Sequence, residues 1–276
     1  QAIAEHSRGD RWLGQPQLRA HLLLAAYQLV FLRVPDHAAV SEAVRAVKAR
    51  HDRRVAGFAN AVLRKLAAAP PTASLAEARI AALPPWLKAE LDAAIGDAAL
   101  VLGDPPPLSL CLRQGEDRDA WIAQLQSHDR EARAGELSPR AIITSGDPAK
   151  LPGYNQAWLA QEEGAQVLAL ALGAGPDDVV LDACAGRGGK TLLLVDSGAT
   201  VDAADKHPKK LERLRGAPWG RQVRNTHAVD WTRGVGDVPS GYDRVLVDAP
   251  CTGSGTLRRR PEIALKLAAS DPTRMA

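Results

Sequence analysis

Apolar residues follow a helical spacing through the first seventy residues of the chain. Leu18, Leu22 and Leu29 lie on one helical face, and the same spacing returns over residues 40–47 and 55–66. Pro35 separates the first two of these stretches. The pattern predicts an all-helical domain over residues 1–70. The prolines of residues 69–74 end it, and the spacing over 83–96 predicts one more short helix within a helical linker, 71–107.

The pattern changes after the proline-rich stretch 103–107. Residues 108–112 alternate like a strand, 119–125 are spaced like a helix, and 141–144 again resemble a strand. These three elements predict a small α+β subdomain over residues 108–154. Residues 155–172 have the spacing of an amphipathic helix, with which the last domain begins.

Strand and helix patterns alternate through the final domain, residues 155–276. The predicted strands are 179–183, 200–204, 223–228 and 244–247, and helices begin near Gly189 and Pro208. Such alternation is typical of a parallel, doubly wound sheet, which binds ligands at the carboxyl ends of its strands. The predicted fold class is therefore α/β: a Rossmann-like sheet preceded by an all-α domain and a small α+β insert.

The composition indicates the cellular compartment of the protein more than its activity. Lys and Arg total 35 against 32 Asp and Glu, so the net charge of +3 does not by itself indicate nucleic acid. Three cysteines without metal-ligand spacing predict a reducing cytosol, no disulfide scaffold and no metal site. The apolar run 22–32 is too short to span a membrane. Because the chain opens on Gln1 and stops within a pattern at Ala276, we interpret it as a fragment.

A turn rich in small residues joins the first predicted strand of the last domain to a helix. Glycines allow a ligand to approach the backbone, and the helix start offers free N–H groups. Two chemistries use such a turn: a P-loop, from which this turn departs by one glycine, and a turn that holds the methionine part of S-adenosylmethionine. The residues of this turn are Cys184, Ala185, Gly186, Arg187, Gly188, Gly189 and Lys190.

Carboxylates at three strand ends favour the second chemistry. Asp205 follows the next strand, where an acidic residue binds ribose hydroxyls, and Asp230 is placed to accept from an adenine amino group. Asp248 ends a later strand. We interpret the neighbouring Asp202 and Asp237 as solvated surface charges.

Cys251 follows Pro250 in the turn after Asp248. A thiolate can add to C6 of a pyrimidine, which makes C5 able to accept a methyl group, and Asp248 can bind the edge of the base. By contrast, we assign Cys184 to the lining of the turn and Cys111 to the core. The basic stretch 206–215 is interpreted as a solvated helix face. Arg258, Arg259 and Arg260 follow the cysteine turn and are predicted to contact phosphates.

Together these motifs resemble the Sun/Fmu (NOL/NOP/Sun) family of RNA cytosine-5 methyltransferases, in particular its enzymes for bacterial 16S ribosomal RNA. The glycine turn DACAGRGGKT, the turn DAPCTGSG and the segment RRRPEI carry the resemblance. Residues 25–66 are similar to the family's NusB-like RNA-binding domain, which the chain carries without its first helices. Arg187 departs from the family's usual proline.

The resemblance implies roles for the site residues. S-adenosylmethionine would bind along residues 184–190 with Asp205 at the ribose, Asp230 at the adenine and Asp248 between cofactor and cytosine. Cys251 would then be a catalytic residue that assists product release, since the family's nucleophile is a cysteine in a later Thr-Cys-Ser strand. That strand is not among these 276 residues, so we expect this chain to bind the cofactor without turnover. The implied partner is small-subunit ribosomal RNA, and we expect a monomer.

Three other functions remain open at this point. The same chemistry could act on tRNA, or the chain could be a non-catalytic RNA-binding or assembly module. A P-loop-like NTPase would instead bind ATP with Mg²⁺ through Lys190.

Overall fold

The computed structural model describes residues 2–275 except residues 8, 10 and 33. Its contacts divide the chain into two compact units, each with its own core. One comprises Gln1–Asp104 and Ser254–Leu267, and the other Pro105–Gly253 and Ala268–Ala276. The sequence-based division at residues 70, 107 and 154 remains a prediction, since compact units and evolutionary domains follow different criteria.

The first unit begins with a helical bundle, as predicted. Its helices are α1 (Ala2–His6), α2 (Pro16–Phe31), α3 (Asp36–Lys48) and α4 (Arg53–Ala68). Leu22, Val47 and Leu63 lie fully buried in its core. Helix α4 begins where the Asp52 carboxylate accepts a hydrogen bond from the Val55 N–H at 2.9 Å. Within the described residues, no helix has both the length and the apolar character needed to cross a bilayer.

Two further helices complete this unit. They are α5 (Leu75–Ala81), which starts at a Ser74–Glu77 capping box, and α6 (Pro85–Ile95). The segment 254–267 packs against α6 through a cluster that includes Leu87, Leu257 and Ala264. Neighbours so distant in sequence leave no trace in local periodicity, so the sequence did not predict this packing.

The second unit opens with a small antiparallel sheet in the order β2-β3-β1-β4. Its strands are β1 (Leu108–Leu112), β2 (Ala132–Ala134), β3 (Ala141–Thr144) and β4 (Trp158–Ala160), and α7 (Arg118–Gln126) packs beside them. The predicted helix over 155–172 was therefore wrong at its start, because Trp158–Ala160 pair with β1. Only Glu163–Leu170, α8, are helical there.

The larger sheet is parallel throughout and has the order β7-β6-β5-β8. Its strands are β5 (Val179–Asp182), β6 (Thr200–Asp205), β7 (Asn225–Ala228) and β8 (Arg244–Leu246), with helices α9 (Gly189–Asp196) and α10 (Pro208–Arg215) between them. A short helix α11 (Asp271–Met275) follows. The predicted fold class is confirmed.

A buried carboxylate joins the two sheets inside this unit. Asp196, at the end of α9, has a side chain only 3% exposed and accepts from Arg113 at 2.7 Å and Arg140 at 3.2 Å. Both arginines belong to the small-sheet region. The helix that follows the glycine turn is thus held at its far end by two charge-assisted contacts.

Asp202 is a correction to the sequence interpretation. Its side chain is fully buried within β6, and it accepts from Arg224 Nε at 2.8 Å, Arg224 Nη2 at 2.7 Å and the Tyr242 hydroxyl at 2.8 Å. Asp237, by contrast, is 84% exposed. Both aspartates were interpreted as surface charges because no residue spacing in the sequence marks a buried aspartate that accepts hydrogen bonds inside a strand.

Candidate active site

The glycine turn lies at the carboxyl end of β5 and leads into α9. Gly186 and Gly188 have positive φ angles of 59° and 89°, a backbone conformation that favours glycine. A Cβ atom added to Gly186 would meet nothing within 4 Å, whereas one added to Gly188 would lie 2.4 Å from the ring of Trp219. Gly186 therefore borders open space, whereas Gly188 leaves no room for a side chain beside Trp219 of the same chain.

This difference predicts unequal effects of alanine at the two glycines. Gly186→Ala should cost about 1 kcal/mol, the penalty for a left-handed residue. Gly188→Ala adds a clash with Trp219, so we expect about 3 kcal/mol in total. Urea unfolding of both variants measures the two costs. Equal costs would show that the close approach of Trp219 is unimportant.

Asp205 shapes the glycine turn from the end of β6. Its carboxylate is 7% exposed and accepts from the Gly186 N–H at 3.0 Å, the His207 N–H at 2.8 Å and Lys210 Nζ at 3.3 Å. A carboxylate has about four acceptor positions, so one remains for a ligand hydroxyl.

Asp230 lies after β7 with 39% of its side chain exposed. Its Oδ1 accepts from the Thr232 hydroxyl at 2.7 Å and the Thr232 N–H at 3.2 Å. These hydrogen bonds hold the pKa of Asp230 below its usual value, so the group stays ionised. The next residue, Trp231, donates to the Ala183 carbonyl at 2.6 Å and ties this rim to the end of β5.

Lys190 and Asp248 form an ion pair between the glycine turn and the end of β8. The lysine side chain is 17% exposed and the aspartate 48% exposed. The structure thus brings together the two turns that the sequence singled out. Cys251, three residues beyond Asp248, is exposed.

Asp182 and Thr191 lie beneath this pair and were not among the predicted site residues. Asp182 is 1% exposed and accepts from the fully buried Thr191 hydroxyl at 2.7 Å. Burial raises the pKa of Asp182 to about 6, although hydrogen bonds from Thr191 and the Cys184 N–H oppose the rise. The available signal was the acidic residue that ends the apolar run VVLD.

The same contact argues against a P-loop. In a P-loop the hydroxyl after the lysine binds Mg²⁺, but Thr191 is fully buried and donates to Asp182.

The three cysteines have different environments. Cys111 is buried in β1, as predicted for a core residue. Partial burial and the charges of Asp182, Asp205 and Asp248 raise the pKa of Cys184, which keeps this thiol protonated. Only Cys251 is exposed, so it is the thiol available to a substrate at this edge of the sheet.

The three consecutive arginines lie in the segment 254–267 of the first unit. Arg258 Nε donates to the Asp104 carbonyl at 3.1 Å, and Arg260 Nε donates to Glu262 at 3.1 Å. These contacts give two of the guanidinium groups a role within their own unit. Their predicted contact with RNA phosphates remains a prediction.

The chain is similar to known methyltransferases over most of its length. Residues 169–276 match the model of the 16S rRNA methyltransferase RsmB/F family, and residues 1–68 match the NusB family. Ribosomal RNA small subunit methyltransferase B of Xylella fastidiosa is 32% identical over 95% of this chain and 66% of its own length. The chain spans only part of its curated relatives, between 59% and 66% of their length.

Two solved structures share the fold. PH0851 has a TM-score of 0.70 at 22% identity and covers 94% of this chain and 63% of its own. NSun6 from Pyrococcus horikoshii, solved with SFG, has a TM-score of 0.57 at 14% identity over 70% of this chain and 76% of its own. S-adenosylmethionine is the cofactor of the family whose model matches residues 169–276. With its RsmB/F-type segment after an N-terminal NusB-like domain, the chain belongs to the Sun/Fmu family of methyltransferases.

Proposed function

We propose that this chain is the NusB-like and cofactor-binding part of an S-adenosylmethionine-dependent methyltransferase that forms 5-methylcytosine in small-subunit ribosomal RNA. The observation that carries the proposal is the ion pair between Lys190 and Asp248. It joins the glycine turn to a carboxylate three residues before the exposed Cys251. The three free cysteines support a cytosolic setting.

The cofactor fits the residues at this edge of the sheet. The space above Gly186 is open, and the α9 start offers free N–H groups to a carboxylate. Asp205 retains an acceptor position for a ribose hydroxyl. Asp230 Oδ2 lies 3.8 Å from Arg233 Nε and can still accept from an adenine amino group. When bound, S-adenosylmethionine supplies an activated methyl group.

The chain's own residues would position the base and assist release of the product. Asp248 would accept a hydrogen bond from the exocyclic amino group of a cytosine taken out of the RNA stack. Lys190 would hold that carboxylate in a fixed orientation through their ion pair. Cys251 would act after methyl transfer by assisting release of the product from the enzyme.

RNA is the proposed partner of the NusB-like helices as well. This assignment is supported by the family matches at both ends of the chain and by relatives named for small-subunit ribosomal RNA. We further propose that the arginines of residues 258–260 contact phosphates and that the protein acts as a monomer.

Calorimetry with S-adenosylhomocysteine tests the cofactor site. We expect binding to the wild-type chain and about tenfold weaker binding to Asp230→Ala, which loses a hydrogen bond to a charged acceptor. Asp237→Ala is the matched control, since this residue is exposed and lies outside the site. Heat from Mg²⁺-ATP but none from S-adenosylhomocysteine would overturn the proposal.

Nucleoside mass spectrometry tests the reaction itself. The whole enzyme of which this chain is the proposed part, incubated with S-adenosylmethionine and unmodified small-subunit RNA, is expected to produce 5-methylcytosine. The 276 residues alone are expected to produce none. A methyl group at the exocyclic nitrogen or on the ribose would contradict the proposed chemistry, even if the cofactor binds.

A further inference from the structure

A stripe of cations runs along α10 and the residues just before it. Lys206, Lys209 and Arg213 are exposed and lie three and four positions apart, while Leu211 and Leu214 are buried on the opposite side of the helix. None of the three cations has a carboxylate within 4 Å in the part of the chain that the structure describes. The three cations of the stripe therefore form no ion pair with the described residues.

Lys209 does not stabilise the helix that carries it. The first turn of α10 has no acidic residue and contains Lys209 and Lys210, although the positive end of the helix dipole disfavours cations there. Lys209 and Arg213 are also like charges at i and i+4, which repel on a helix. Arg213 itself lies in the last turn, where the dipole favours a cation, and Glu212 is the one acidic residue of α10. The cations at the start of this helix are therefore better matched to an anion from outside the chain.

The stripe lies beside the proposed cofactor site. Helix α10 follows directly after Asp205, and its residue Leu214 would lie 2.9 Å from a Cβ atom added to Gly188. Lys206 is also close enough to Asp230 to help lower the pKa of that carboxyl, after the larger effect of the Thr232 hydrogen bonds. Arg187, exposed in the glycine turn, adds a fourth cation, and the structure gives it no ion pair among the residues it describes. The cations thus border the end of the proposed cofactor site where Asp205 and Asp230 lie.

We propose that Lys206, Lys209, Arg213 and Arg187 form a surface that binds the phosphate backbone of the RNA substrate. The proposal rests on the proposed function, which supplies RNA as the substrate. His207 is the one aromatic side chain among residues 206–215, and the four residues of the proposed surface are all cations. Cationic side chains of this kind contact phosphates, which position the RNA without reading its sequence.

RNA binding by a charge-reduced variant tests this surface. The variant is Lys206→Gln/Lys209→Gln/Arg213→Gln, which leaves the glycine turn and Lys210 intact. The matched control is Arg118→Gln/Arg130→Gln/Lys150→Gln, which removes the same net charge from the small-sheet region of the same unit. Fluorescence anisotropy with a labelled single-stranded RNA that contains cytosine is measured across a series of salt concentrations.

The stripe variant is expected to bind this RNA at least tenfold more weakly at about 0.1 M salt. The slope of log affinity against log salt should fall by about 2, since each lost phosphate contact on a single strand contributes about 0.7. The control should stay within about twofold of wild type in affinity and keep its slope. Both variants should bind S-adenosylhomocysteine as the wild type does.

The possible results distinguish a failure of the proposed RNA-binding surface from a failure of the proposed function. Equal RNA binding by the stripe variant and the wild type would overturn the surface while leaving cofactor binding and RNA methylation untouched. Loss of binding to phosphatidylserine vesicles with RNA binding unchanged would overturn it in favour of a membrane contact. A wild-type protein that binds neither S-adenosylhomocysteine nor RNA would overturn the proposed function and this surface together.

Discussion

Asp202→Ala is expected to lower the free energy of unfolding of the second unit by about 3 kcal/mol, because it breaks a buried ion pair from one side. The substitution removes the acceptor of both Arg224 hydrogen bonds and of the Tyr242 hydroxyl. Arg224 is 41% exposed and can regain water, which places the cost at the lower end of the range for such pairs.

Urea unfolding, monitored through the hydrogen exchange of peptides from residues 200–228, measures this loss. Asp237→Ala is the matched control: the two carboxylates lie on either side of His227, but Asp237 is 84% exposed and should change stability by less than about 0.5 kcal/mol. Asp202→Asn keeps one acceptor and the side-chain volume, so its cost should fall between the two. A loss below about 1 kcal/mol for Asp202→Ala would mean that the network contributes little.

Asp202 also shows what the sequence alone could not reveal. The strands, the glycine turn and the alternation of the large sheet follow from periodicity and turn composition, and the structure confirms them. Asp202 and Asp237, however, were both interpreted as surface charges, and they differ in burial because Arg224 and Tyr242 approach Asp202. Such partners come from elsewhere in the chain, and local spacing does not record them.

The candidate site likewise contains residues that the sequence predicted and residues that it missed. Lys190 and Asp248 were predicted separately from two turns, and their ion pair follows from the adjacency of β5 and β8 in a parallel sheet. Asp182 was missed because its partner Thr191 is buried one helical turn into α9, where a hydroxyl has no distinctive sequence signal. The start of α8 was misplaced because β4 pairs with a strand some fifty residues earlier.

Asp182→Asn is expected to change how stability depends on pH. Burial raises the pKa of Asp182 to about 6 in the folded state, above the unfolded value of 3.8. Between these values the folded protein binds a proton that the unfolded chain has released. The stability that this proton contributes is fully present below about pH 4 and is lost as the pH rises through about 6. Two pKa units correspond to about 3 kcal/mol.

Asparagine cannot titrate, so the variant lacks this dependence. Relative to wild type, Asp182→Asn should gain about 2.5 kcal/mol between pH 4 and pH 7.5, whatever its stability at either pH. Urea unfolding of both proteins at these two pH values, with exchange of peptides from residues 179–196 as the signal, gives the difference directly. Thr191→Val serves as the control, because it removes the hydroxyl partner but leaves the carboxyl group to titrate. A stability difference between wild type and Asp182→Asn that does not change with pH would mean that Asp182 is already ionised in the folded protein at pH 4, and the carboxylate beneath Lys190 would then be a permanent charge of the site.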